Sequence, residues 1–114
     1  MIRFISVICI VLIAGFTPWV TQADQGLDVE YAEHKPLATE SMLLDIIRAG
    51  DTFVAVGERG HIVTSPDGET WTQAEVVPTR STLTSVFSTG NRLWAGGHDA
   101  AILTSGDGGE TWTR

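Results

Sequence analysis

The stretch Ser65-Pro66-Asp67-Gly68-Glu69-Thr70-Trp71 returns, one residue longer, as Ser105-Gly106-Asp107-Gly108-Gly109-Glu110-Thr111-Trp112. These residue types describe a tight hairpin. A short Asp carboxylate accepts hydrogen bonds from the N–H groups of its own turn. Glycine supplies the positive φ that closes the turn, and Pro66 presets φ at the first corner of the shorter version. The Thr opens the next strand and the Trp buries a large ring between strands.

Working outward, the match continues upstream. With an offset of 40, Ile46 aligns with Val86, Ile47 with Phe87, Gly50 with Gly90 and Phe53 with Leu93. Ala55 aligns with Ala95, Gly57 with Gly97, Ile62 with Ile102 and Thr64 with Thr104. The extra residue of the second turn moves Trp71 onto Trp112, an offset of 41. The chain is an internal repeat. Turn chemistry divides each unit into four short strands. The strands are expected over 43–47, 52–56, 61–65 and 70–74, then over 83–87, 92–96, 101–105 and 111–114. Phe53-Val54-Ala55-Val56 is apolar at consecutive positions, as a sheet covered on both faces requires. A four-stranded antiparallel unit of about 40 residues is the size of one β-propeller blade. The expected fold is all-β, with two such blades of an incomplete ring at 43–82 and 83–114, the second truncated.

Met1-Ile2-Arg3 is a short basic start, 4–16 is almost wholly apolar, and a polar stretch ends in Thr21-Gln22-Ala23. That is the layout of a signal peptide over 1–23, cleaved near Ala23. Its apolar core falls short of the roughly 20 residues of a membrane span; a retained N-terminal anchor is the alternative. Export places the protein in a periplasm, a thylakoid lumen or the extracellular space. Residues 24–42 are charged, contain Pro36 and show no period, so they read as an extended leader, with a strand expected at 28–31.

The chain has seven Lys/Arg against 14 Asp/Glu and a formal charge of −7. Loss of 1–23 removes Arg3 and no acid, which makes the remainder more acidic. Nucleic acid is a poor partner for such a chain, because a basic stripe supplies most of that affinity. Anionic membrane surfaces are disfavoured for the same reason. Cys9 is the only cysteine and lies in the signal segment. The rest of the chain has no disulfide, thiol nucleophile or thiolate metal site.

The two turns resemble the Asp-box, or BNR, repeat. With the upstream patterns Phe53-Val54-Ala55-Val56-Gly57-Glu58-Arg59-Gly60-His61-Ile62 and Leu93-Trp94-Ala95-Gly96-Gly97-His98-Asp99-Ala100-Ala101-Ile102, the chain resembles the photosystem II assembly and stability factors. The resemblance spans about 42–114, with the signal peptide as a shared feature. It implies a ring of several blades, so that this chain is expected to be the N-terminal fragment of a longer protein. It implies Ser65, Asp67, Gly68, Thr70 and Trp71, then Ser105, Asp107, Gly109, Thr111 and Trp112, as structural residues of the boxes. It also implies a non-catalytic scaffold that docks on a protein partner, photosystem II in a photosynthetic host, through arginines. Arg48, Arg59, Arg80 and Arg92 are the candidates. In another host the same scaffold would serve an envelope complex.

Asp67 and Asp107 read as turn anchors, and neither turn collects the carboxylates of a calcium site. Sialidases share the Asp box and supply the enzymatic alternative, a fragment of a secreted glycosidase. Their chemistry needs an arginine cluster, a tyrosine with a glutamate partner and an acid/base aspartate. The only tyrosine here is Tyr31 in the leader, and no Arg-Ile-Pro element precedes the first box. His34, His61 and His98 lack ligand spacing and are expected on turns or facing solvent. Trp94 aligns with Val54 and is expected in the core between blades. No catalytic, metal or cofactor residue is assigned. Two blades alone leave faces and edges open, so self-association is expected.

Overall fold

The structure, a computed structural model, describes residues 28–114; the expected signal peptide at 1–23 lies outside them. The described chain is mostly β. Strands β1 (Leu43–Ala49), β2 (Thr52–Gly57), β3 (Ile62–Ser65) and β4 (Thr72–Gln73) form one antiparallel sheet in sequence order. Strands β5 (Leu83–Thr89), β6 (Arg92–Gly97) and β7 (Ile102–Ser105) form a second. The expected fourth strand of the second unit, 111–114, is reduced to one bridge. Thr104 and Thr113 exchange both backbone hydrogen bonds at 2.9 Å.

The repeat extends to hydrogen-bond register. Ile46 faces Ala55 as Val86 faces Ala95, and both units shift register near the start of their first strand. After β2, Gly57 N–H donates to His61 O and Glu58 N–H to Met42 O; after β6, Gly97 donates to Ala101 and His98 to Thr82. Gly57 and Gly97 are required by closeness. A Cβ on either would lie 2.1 Å from the carbonyl oxygen of Met42 or Thr82.

Alternation along the strands gives each sheet two faces. Ile47, Val54, Ile62 and Thr64 share the forward face of the first sheet. Val86, Leu93, Ala95 and Leu103 share the rear face of the second. These faces make one core with Val56, Leu83 and Trp112. Asp45 pins the seam: its Oδ1 accepts the N–H of Ile46 and its Oδ2 that of Val86, both at 2.9 Å. The linker after β4 also crosses the seam. Val76 forms a parallel bridge with Thr111, and Trp112 N–H donates to Val76 O at 2.9 Å.

The strand expected at 28–31 is absent among the described residues. One backbone bond, Ala32 N–H to Val77 O, ties this segment to the linker. The remaining ties pass through side chains: Gln73 to Glu33 O and Lys35 N–H, His34 Nε2 to Glu75 O, and Arg80 to Tyr31 O and the Glu33 carboxylate. One main-chain bond does not make a ladder. Further on, the leader forms a short 3-10 turn at Ala38–Glu40.

Turns 57–60 and 97–100 each hold two successive residues at positive φ: Arg59 and Gly60, then Asp99 and Ala100. A left-handed conformation costs a non-glycine residue about 1–2 kcal/mol. Gly60 cannot carry a Cβ, which would lie 2.2 Å from Thr79 O. In urea melts, Ala100→Gly is expected to raise stability by about 1 kcal/mol. Gly60→Ala is expected to lower it by more than that, because strain and a backbone clash add.

Candidate functional site

The two Asp boxes close on themselves. In the first, Asp67 Oδ1 accepts the N–H groups of Glu69 and Thr70 at 2.8 Å and the Ser65 hydroxyl at 3.1 Å. Ser65 Oγ in turn accepts the N–H groups of Asp67 and Gly68. In the second, Asp107 Oδ1 accepts the N–H groups of Glu110 and Thr111 at 3.1 and 3.0 Å and the Ser105 hydroxyl at 2.8 Å. The Thr111 hydroxyl donates to Asp107 Oδ2. Gly108 and Gly109, both at positive φ, absorb the extra residue that the first turn lacks. The indoles complete the turns, Trp71 donating to Gly68 O at 3.1 Å and Trp112 to Gly109 O at 2.9 Å.

These bonds set the acidity of both carboxyls. For Asp67 the backbone donors Thr70 and Glu69 hold it below the ordinary value of an aspartate. For Asp107, partial burial pushes upward, but the donors Thr111, Ser105 and Glu110 outweigh it and hold the group at about 2. A carboxylate so committed is a poor proton donor near neutrality. Both aspartates act as turn anchors.

The tryptophans differ. Trp112 is 2% exposed within the seam. Trp71, its equivalent, is half-buried on the rear face of the first sheet, 6.4 Å from the Phe53 ring. Trp94 departs from the expected core position. It is half-buried on the forward face of the second sheet, stacked on Phe87 at 6.4 Å, with its indole donating to Thr89 Oγ1. No third sheet lies against that face among the described residues.

The four candidate arginines separate into two regions. Arg48 lies over the Phe53 ring at 5.6 Å and donates to Gly50 O. Arg92 donates to Thr104 Oγ1 and lines a shallow cleft with Gly50, Gly90 and Asn91. Arg59 and Arg80 meet Lys35, Glu33 and His61 around a different cleft of about 340 Å³. Glu33 is paired with Lys35 at 2.5 Å and with Arg80 at 3.0 Å. The Lys35 hydrogen bond, then the charges of Lys35 and Arg80, hold its pKa below the ordinary value of a glutamate. Three cations against one acid make the cleft positive within an acidic chain.

Sequence reading missed Lys35, Glu33 and His61, which reach this cleft only because the leader folds back along the linker. His61 closes the turn after β2, one of its two expected placements, and is 4% exposed rather than facing solvent. Its Nδ1 lies 3.0 Å from Ser41 Oγ, whose own hydrogen goes to Ala38 O at 2.7 Å. Nδ1 therefore carries the proton in the neutral ring. Burial lowers its pKa; Glu58 opposes that effect, and Arg59 and Lys35 reinforce it. Among the described residues, no group of three His, Cys, Asp or Glu side chains is placed to hold a metal ion. No described helix is long and apolar enough to cross a membrane.

Among known proteins, no family model, no curated protein and no solved structure matches this chain.

The Asp107 geometry fixes a pH dependence. A carboxyl with a depressed folded-state pKa stabilises the fold above its unfolded value and loses that contribution as pH falls through the folded value. From the ordinary 3.8 to about 2, the stability of the wild-type chain is expected to fall more steeply than that of Asp107→Asn. At neutral pH, Asp107→Asn is expected to cost about 1–2 kcal/mol, a charged hydrogen-bond loss discounted for exposure. Urea midpoints followed from pH 5 to pH 2 check both effects, the span being about that of acid titration of carboxyls.

Proposed function

We propose that the chain supplies two blades of an exported Asp-box propeller whose role is binding. In this reading it is a non-catalytic scaffold similar to the photosystem II assembly factors. The observation that carries the reading is the convergence of Arg59, Arg80 and Lys35 on one cleft of a chain with net charge −7. A local cationic patch on an acidic molecule selects an acidic surface and orients it, while the remaining surface repels acidic partners elsewhere. Guanidinium groups suit such a contact because they bind carboxylates through paired donors. The partner is an acidic loop of a membrane-protein complex, photosystem II in a photosynthetic host and an envelope complex in another. The sialidase alternative is weaker, because Asp67 and Asp107 spend their oxygens on their own turns and Tyr31 lies in the leader.

The test is binding of the purified chain to detergent-solubilised photosystem II assembly complexes, followed by surface plasmon resonance at several salt concentrations. Arg59→Glu/Arg80→Glu is expected to weaken binding by about tenfold or more at low salt, equivalent to about 1.4 kcal/mol. Arg48→Glu is expected to change it little. Equal binding by wild type and the double variant would remove the cationic cleft from the interface.

A further inference from the structure

The seam between the two sheets defines what a forward face accepts: the rear face of a following unit. On the first sheet, Val54 and Ile62 are fully buried by it and Ile47 is half-buried. The equivalent positions on the second sheet are Trp94, Ile102 and Phe87. There, Phe87 is 51% exposed, Ile102 is 64% exposed and Trp94 is half-buried. Thr104 repeats Thr64 on the same face. This contiguous apolar surface has the chemistry of an interface core, with a stacked aromatic pair at its centre. At the other end of the molecule, the rear face of the first sheet exposes Ile46 at 53% and holds Phe53 and Trp71 half-buried, while Ala55 and Val63 on the same face are already buried within the chain. These residues align with Val86, Leu93 and Trp112, which fill the seam. The molecule thus carries the two halves of one interface on opposite sides.

We propose that the forward face of the second sheet binds the rear face of the first sheet of a second copy of this chain, so that copies join head to tail. The contact repeats the seam already present within each chain, with Ile46, Phe53 and Trp71 of one copy meeting Phe87, Trp94 and Ile102 of the next. The polar groups at the Asp45 position are compatible. Within the chain, Asp45 Oδ2 accepts the Val86 N–H across the seam. On the open face, Ser85 stands in the place of Asp45, so no carboxylate is left buried without a donor. The incoming Ile46 N–H is already satisfied by its own Asp45 Oδ1 at 2.9 Å. Such a contact is heterologous, so it closes into a ring or continues as a filament according to the rotation per copy. This inference rests on the seam and not on the partner proposed above.

The test uses one substitution on each face. Ile102→Asp spoils the forward face of the second sheet, and Ile46→Asp the rear face of the first. Both positions are exposed, and thermal melts matching the wild-type chain establish that each variant folds. Light scattering should give a wild-type mass that rises with concentration and single-chain masses for each variant alone. An equimolar mixture of the two variants should form a species of two chains, because each keeps the face that the other lost. Phe87→Lys and Ile46→Lys replace the first pair if either variant melts early. A wild-type chain that stays monomeric at every concentration would overturn the proposal and assign the face to another protein or a further segment of chain. Self-association of Ile46→Asp alone would also overturn it, because forward faces would then be pairing with each other.

Discussion

The carboxylate of Asp107 joins two levels of the structure. It gathers the N–H groups of Glu110 and Thr111 and the hydroxyls of Ser105 and Thr111 into one turn. That turn delivers Trp112 into the seam and presents Gly109 to the other sheet. A Cβ at Gly109 would meet Thr64 Cγ2 at 3.2 Å and Val54 Cγ2 at 3.6 Å. The backbone just beyond the carboxylate also pairs with the linker through Val76. A small polar constraint therefore sets the position of the largest buried side chain. The apolar seam has its present shape because the turn cannot relax without leaving donors unpaired.

The same turn built on Asp67 has no such consequence, and the contrast separates local from tertiary causes. Its hydrogen bonds are nearly those of the second turn, so the hairpin is a local property of Ser, Asp, Gly and Trp at that spacing. Yet Trp71 stays half-buried, because no sheet among the described residues lies behind Phe53. Hydrogen bonding makes the turn; burial of the ring depends on a neighbour.

This division explains what could be read from the sequence. Strand order, the turn anchors and the repeat register follow from short-range rules, and β1 to β3 and β5 to β7 lie within two residues of their expected bounds. What could not be read depends on which face meets what. Trp94 and Val54 occupy equivalent positions, but only Val54 has a sheet in front of it. His61 is buried because Ser41 and the leader fold over it, a contact between segments with no shared pattern. Ala32, Glu33 and Lys35 reach the linker through one backbone bond and the two ends of the Gln73 amide, and no periodicity announces that.

Comparison of the two units with each other identifies the positions released from structural duty. Where the backbone needs closeness or a turn anchor, the units agree: Gly57 with Gly97, Ser65 with Ser105, Asp67 with Asp107. One cation of the cleft falls where the units disagree. Arg59 stands opposite Asp99, a reversal of charge. Packing does not demand a cation at position 59, since turn 97–100 places Asp99 at the same positive φ. Arg59, with Arg80 and Lys35 beside it, concentrates positive charge at a single place on an acidic molecule. It does so without disturbing the apolar faces through which unit stacks on unit.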